Sequence, residues 1–385
     1  MGPPKPVPVT DYARLAHTVF NHGSVKDLRI VVVGAGALGN EVVKTLGLLG
    51  IGKITVVDPD IVKPSDLTRS LLLRSENVVG RNKAAALADC AGALFPDTVV
   101  TGISKEIADV GFQELALADL LFGCVDSDLA RLEIAYISTQ LDVPVLDGGL
   151  GAPEYSCGRV SFFPGSIGAC FSCRLTQQRR RELLTIWEAA SRPCWLEAHD
   201  LDRPSYPSTP MMAAVVGALQ VELGLRRLLG DQERGESPAT TVEIVLDPFP
   251  RLDVFTMSVS QTCPFHGAGC TRSRVSAPSS ATVRGLLGGV ASEAAGGGPA
   301  VLVLDWPICA SVRCAACDHR WLPMLRLAAL RRSGVCPRCG SRDFIEEETL
   351  RMIEPDSRWA DWSLGDLGLP EAHLHLVRRG PEPLA

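Results

Sequence analysis

Arg29-Ile30-Val31-Val32-Val33-Gly34-Ala35-Gly36-Ala37-Leu38-Gly39 is the stretch on which the fold turns. Its β-branched run reads as a buried strand. The glycines that follow permit a tight turn and a close backbone approach, and Ala37 opens a run with helical apolar spacing as far as Leu49. A strand, a glycine turn and a helix in this order leave amide groups at the helix N-terminus, where a phosphate can sit. A second strand-like run, Lys53 to Val57, is followed by Asp58, 22 residues after Gly36, where a carboxylate accepts hydrogen bonds from ribose hydroxyls. Gly34, Gly36, Gly39 and Asp58 therefore mark a nucleotide site, without choosing among NAD, FAD and ATP.

Outward from this stretch the alternation continues. Thr98 to Val100, Leu120 to Phe122 and Val143 to Leu146 read as strands, separated by the helical patterns Lys83 to Leu94 and Leu129 to Gln140. Arg159 to Phe163, Thr241 to Leu246 and Asp253 to Val259 read as later, antiparallel strands. Between them lie an irregular stretch, 174–210, and a helix, Met211 to Leu229. The fold class is α/β: a Rossmann-like, mostly parallel sheet with antiparallel additions, plus a small C-terminal domain. The boundaries read as 1–270 for the sheet domain, 271–300 for a Ser-, Ala- and Gly-rich linker with one short helix around Val283, and 301–385 for the terminal domain.

Composition narrows the function. The chain has 385 residues, 46% of them hydrophobic, and a net charge of −6, which argues against a general electrostatic grip on nucleic acid. The apolar run Met211 to Leu219 is well short of the roughly 20 residues a membrane span needs. Met1 to Val9 reads as a Pro-rich tail and not as a charged-then-apolar leader. These readings point to a soluble, cytoplasmic protein with neither membrane nor nucleic acid as partner. Its 13 cysteines are an odd number, so ligand or nucleophile roles are expected in place of a closed disulfide framework.

Further residues choose the nucleotide. Asp58-Pro59-Asp60 leads to Asp66-Leu67-Thr68-Arg69 and Gly80-Arg81-Asn82-Lys83, and Asp126 follows the fourth strand with Arg131 behind it. Over roughly residues 10 to 270 this resembles the ThiF/MoeB/ubiquitin-activating enzyme family. The resemblance implies binding of ATP and Mg²⁺ and adenylation of the C-terminal carboxylate of a ubiquitin-like β-grasp protein. It assigns the ribose to Asp58, the phosphates to Arg69 and Lys83, the Mg²⁺ to Asp126, and a reach into a partner subunit's ATP site to Arg14. A homodimer follows from that reach. Asp66 and Ser70 stand where the family commonly has Asn and Gln. Two cationic side chains and a metal suit a reaction in which negative charge builds on a phosphoryl group and leaves with pyrophosphate. A nicotinamide-dependent dehydrogenase would use the glycines and Asp58 but leaves Arg69, Lys83 and Asp126 without a task. A non-catalytic scaffold needs none of them.

Two metal sites are legible. Cys170-Phe171-Ser172-Cys173 and Cys263-Pro264-Phe265-His266 have knuckle spacing for a structural zinc, with Cys270 competing with His266 as fourth ligand. Cys314-Ala315-Ala316-Cys317 and Cys336-Pro337-Arg338-Cys339 have the spacing of a zinc ribbon, whose apolar set (Trp306, Trp321, Leu322, Leu325, Leu330) is too small to fold without metal. Residues 301–385 hold 11 Arg, no Lys and 12 acidic residues, a balance that favours a protein-binding or structural ribbon. Cys194, in the crossover segment, is where the resemblance implies a thioester-forming nucleophile, with Arg192 or His199 to lower its pKa. The expected activity is activation of a ubiquitin-like protein by adenylation and then thioester formation, with a conjugating enzyme as the next acceptor. The alternative is a sulfur-carrier adenylyltransferase without a catalytic cysteine. The ribbon and the Arg-, Ala- and Gly-biased composition favour a bacterial-type conjugation system.

Overall fold

The structure, a computed structural model, describes residues 10–74, 77–151, 156–188, 209–230, 238–266, 272–292 and 300–379. Cys194, Arg192, His199 and Cys270 lie outside these. Within the described residues the chain divides into two compact units. The first is drawn from 10–107, 115–176 and 209–266, the second from 108–114, 177–188 and 272–379.

The first unit is built on an eight-stranded sheet of order β3-β2-β1-β4-β5-β6-β7-β8. Its strands are β1 (Arg29–Val33), β2 (Lys53–Val57), β3 (Val99–Ile103), β4 (Leu120–Gly123), β5 (Val145–Gly151), β6 (Cys157–Phe163), β7 (Ala239–Val245) and β8 (Arg251–Met257). The pairs among β3, β2, β1, β4 and β5 are parallel, and those from β5 to β8 antiparallel. This is the α/β class expected, with its antiparallel additions. β1 is buried continuously from Ile30 to Val33, as a parallel strand covered on both faces must be. Val33 pairs with both Val57 and Gly123, so β1, β2 and β4 end at one level. The helix Ala37–Leu48 packs against the helix Pro210–Leu229 at Gly217, where a Cβ would lie 2.8 Å from that of Glu41. Leu46, Leu87, Phe122, Leu146 and Val216 join one core.

In the second unit a long strand, β10 (Ala300–Cys314), pairs with β11 (Arg320–Trp321), β12 (Leu325–Arg326), β13 (Phe344–Ile353) and β14 (Leu374–Arg379), and β14 pairs with β9 (Arg272–Ser276). Here the chain differs from the sequence reading. The stretch 271–300, read as a linker with one short helix around Val283, does carry that helix, Val283–Ser292, but it also carries β9. Val283, Leu286, Leu287 and Val290 of the helix enter the core with Leu302, Trp359 and Leu367. The stretch 174–210 opens with the helix Gln177–Glu188. Leu322 and Leu325, expected inside, are 51% and 44% exposed. Leu325 is the outward residue of the two-residue strand β12, which buries only Arg326, and Leu322 lies outside the strands, directly after β11.

Candidate functional site

Sheet order places the site. The chain runs from β1 to β2 and β3 on one side, then returns to β4 on the other side of β1. Such a reversal opens a crevice beyond the carboxyl ends of β1 and β4. The glycine loop lies there. Gly34 has φ +103°, and a Cβ on it would meet the Cys124 carbonyl oxygen at 2.5 Å. A Cβ on Gly39 would meet the Gly34 oxygen at 1.9 Å, whereas one on Gly36 meets nothing within 4 Å. Gly34 and Gly39 are therefore demanded by packing, whereas the space in front of Gly36 is open. Gly36 is the N-cap of the helix Ala37–Leu48 and offers no side chain to its first amides, which leaves them for an anion.

Asp58 is buried at the end of β2. Its Oδ2 accepts from the Ala35 amide at 2.7 Å and its Oδ1 from the Asp60 amide at 2.8 Å, so it also braces the glycine loop. Burial raises its pKa, outweighing the two amides and Lys83, which pull it down. Lys83 Nζ lies 3.1 Å from Asp60 and 3.9 Å from Asp66. Burial would lower its pKa, yet Asp58, Asp60 and Asp66 together raise it, so Lys83 is a firm cation at neutral pH. Asp66 Oδ1 accepts from Arg69 Nη2 at 3.3 Å and Oδ2 from the Lys63 amide at 2.9 Å. The buried carboxylate at 66 thus ties Arg69 and Lys83 to one point. Asp126 is exposed beyond β4, at the same edge of the sheet. The N-cap of the next helix is Ser127, whose hydroxyl accepts from the Ala130 amide, so Asp126 is not spent on capping. Arg14 is exposed in the turn Ala13–Leu15.

Other residues hold this geometry, although the sequence reading assigned them no role. Buried Asn40 donates to the carbonyls of Ala35 and Gly36, each at 3.1 Å, and accepts from the Leu72 amide at 3.1 Å. Asn82 caps the helix Lys83–Leu94 through the Ala85 amide and donates to the carbonyls of Asp58 and Asp60. Its position before a helical run is a cap signal that sequence alone carries. Arg131 Nε donates to Asp147 at 3.0 Å, and its Nη2 donates to the carbonyls of Val125 and Gly148. Burial lowers the pKa of Arg159 to about 10, helped by the positive charges of Arg174 and Arg131 and opposed by Asp147.

Both cysteine clusters assemble. Ligand atoms of Cys170, Cys173, Cys263 and His266 lie within 4.8 Å of one another, as do those of Cys314, Cys317, Cys336 and Cys339. Cys170 Sγ is 3.9 Å from Cys173 Sγ and 3.7 Å from Cys263 Sγ; the ribbon sulfurs pair at 3.6 Å and 3.7 Å. A tetrahedron with zinc–sulfur arms of about 2.3 Å has edges of about 3.8 Å, so both donor sets fit Zn²⁺. His266 Nε2 is buried with no hydrogen-bond partner among the described residues, which a metal bond would relieve. Gly340, at φ +73°, turns the second ribbon knuckle, and its amide donates to the Cys336 carbonyl at 2.9 Å.

The model of the ThiF family matches residues 15–264. The Nedd8-activating enzyme E1 catalytic subunit of Drosophila melanogaster is 30% identical over 160 residues, which is 38% of this chain and 35% of that protein. The adenylyltransferase and sulfurtransferase UBA4 of Meyerozyma guilliermondii is 30% identical over 150 residues, 39% of this chain and 34% of that protein. The chain thus spans about a third of the length of these two relatives. Among solved structures, E. coli MccB with ATP covers 66% of this chain and 73% of that one, at 20% identity and a TM-score of 0.48. With a family match over most of its length, on a sheet and glycine loop of the expected form, this chain belongs to the ThiF family.

Proposed function

We propose that this chain uses ATP to adenylate the C-terminal carboxylate of a ubiquitin-like β-grasp protein. The observation that carries the reading is the convergence at one crevice of the open loop at Gly36, the braced Asp58 and the cations Arg69 and Lys83. The names of relatives, a Nedd8-activating subunit, a SUMO-activating subunit and an adenylyltransferase, support the choice of partner class. Asp58 accepts the ribose hydroxyls, and the amides after Gly36 hold phosphate oxygens. The substrate carboxylate attacks the α-phosphorus, the bond to the bridging oxygen breaks, and pyrophosphate leaves. Lys83 and Arg69 neutralise the charge that builds and departs. Mg²⁺, held by Asp126, supplies further neutralisation of phosphate charge.

In a second step the Cys194 thiolate attacks the acyl carbon, forming a thioester and releasing AMP, before transfer to a conjugating enzyme. The two cysteine clusters hold structural zinc, and the ribbon recruits a protein partner. The enzyme works as a cytoplasmic homodimer to which Arg14 contributes across the interface. The test is exchange of labelled pyrophosphate into ATP in the presence of a candidate β-grasp protein. Partner-dependent exchange is expected, falling by at least about a hundredfold in Lys83→Met and Asp126→Asn. Exchange that survives both substitutions would overturn the assignment. A DTT-sensitive adduct on a non-reducing gel, lost in Cys194→Ala, is the expected mark of the second step.

A further inference from the structure

Three arginines from three elements of the first unit gather beside buried Asp147: Arg131 of the helix Asp128–Leu141, Arg159 of β6 and Arg174 of the short helix Phe171–Arg174. Arg131 is fully engaged, with its Nε on Asp147 Oδ1 at 3.0 Å and its Nη2 on the carbonyls of Val125 and Gly148 at 2.5 Å and 3.1 Å. The other two are not. Arg159 Nε lies over the backbone of Gly149, where a Cβ would stand 3.1 Å from it, and it is buried with no hydrogen-bond partner among the described residues. Arg174 Nη1 is buried and unpartnered in the same sense. A buried N–H group of a guanidinium without an acceptor is costly. Asp147, whose Oδ1 is taken by Arg131 and whose Oδ2 also lacks a partner among the described residues, is one carboxylate among three guanidinium groups, so the charge of the cluster calls for a second anion. Glu243, which faces Arg159 in the β6–β7 register, is exposed to solvent. Both arginines keep part of their surface exposed, so a ligand can reach them.

Position says which anion. Asp147 pairs with Gly123, the last residue of β4, and Gly149 lies two residues further toward the carboxyl edge. Arg131 ties this edge to Val125, directly before Asp126. Asp58, Arg69 and Lys83 belong to the β1–β2 side of the crevice, and Arg159 and Arg174 to the β5–β6 side. The nucleotide phosphates are served by the first group, which leaves the second group to the other reactant. We infer that Arg159 and Arg174 form a carboxylate subsite for the peptide tail of the protein substrate, an inference that rests on the adenylation reading. Two planar forks of N–H donors match the geometry of a carboxylate. That carboxylate is either the terminal one or an acidic side chain close to it. Arg174 follows Cys173 directly, so the first cysteine cluster fixes one wall of the subsite.

The test uses the full chain with a non-hydrolysable ATP analogue and three probes: acetyl-Gly-Gly with a free carboxylate, its amide, and the amide of acetyl-Glu-Gly-Gly. Saturation-transfer NMR reads weak binding. At least one carboxylate-bearing peptide is expected to bind and the uncharged amide not to bind. Binding of the first peptide identifies the terminal carboxylate, and binding of the third alone identifies the side chain. Arg159→Gln and Arg174→Gln are each expected to weaken the peptide by about tenfold or more. The dissociation constant for ATP and the zinc content are expected to stay at the parental values. Should Arg174→Gln lose zinc, Arg159→Lys, which keeps the charge and removes the fork, gives the same answer. Unaltered peptide affinity in Arg159→Gln and Arg159→Lys, or no peptide binding by a parent that binds ATP, would overturn the subsite. Arginine-dependent peptide binding by a parent that fails to bind ATP would instead overturn the adenylation reading and leave the subsite standing.

Discussion

At position 34 the chain selects a backbone conformation and an absence of atoms. Gly34 combines φ +103° with a Cβ site 2.5 Å from the Cys124 oxygen, so alanine there meets both strain and collision. Gly34→Ala is expected to cost about 2 kcal/mol or more in unfolding free energy, measured by chemical denaturation. Gly36→Ala, whose Cβ meets nothing within 4 Å, is expected to stay within about 0.5 kcal/mol of the parent while weakening ATP in calorimetry. Equal stability of all three proteins would contradict the close approach of the two loops. At this scale the sequence was informative wherever a role follows from residue type and spacing. Gly34, Asp58 and Lys83 belong to that class, and the structure brings them to one crevice. The work of Asn40 and of Arg131 was not legible, because it depends on which carbonyl oxygens the tertiary fold carries to them. Asp66 read as a departure from the common Asn. In the structure it is the buried carboxylate to which Arg69 and Lys83 are both drawn.

Elements with a strong apolar signal were readable, and polar ones were not. β1 and β2 are β-branched runs buried on both faces, and the strands β6, β7 and β8 fell close to where the sequence reading put them. The helix Gln177–Glu188 escaped because a Gln- and Arg-rich run shows little apolar face, although Leu183 and even Arg180 are buried. β9 escaped because Arg272–Ser276 is polar and its pairing partner is β14, about a hundred residues away. β14 also carries a pH-sensitive group. Burial, together with His373 and Arg274 and against Asp305, lowers the pKa of His375 to about 4. The unfolded chain takes up that proton near pH 6.5. Between these values the unfolded state binds more protons, so stability falls on acidification from about pH 6.5 to about pH 4. The loss is on the order of 2–3 kcal/mol. His375→Gln is expected to flatten that part of a plot of melting temperature against pH. An unchanged slope would show that His375 is not the group responsible.

For the whole molecule, the two proposed zinc sites bear on how much of the chain stays folded. The ribbon end of the second unit has a small core of Cys309, Val312, Leu327 and Leu330, with Trp321 and Phe344 against it. So few apolar groups do not hold a fold alone, and we propose that a bound metal supplies the remaining stability. Elemental analysis is expected to find two zinc ions per chain, and Cys336→Ser to retain one and to melt its unit at lower temperature. A metal-free parent with the same melting curve would refute this. The division into units was only partly legible: a cysteine pattern announces a ribbon, but not that its unit draws in residues 108–114 and 177–188 from elsewhere in the chain.

That borrowing sets a schedule for synthesis. Phe112, fully buried, packs its ring 4.4 Å from that of His373, and its amide donates to His373 Nδ1 across 261 residues of sequence. The carbonyl that accepts from the Gln113 amide belongs to Ala372. At 5–20 residues per second, a ribosome needs roughly 13 to 50 s to pass from the first partner to the second. For most of that time, once it has cleared the exit tunnel, Phe112 is an apolar side chain whose native cover has not yet been made. A nascent chain of this protein therefore carries a built-in waiting period, during which the segment around Phe112 is a natural client for a holding chaperone.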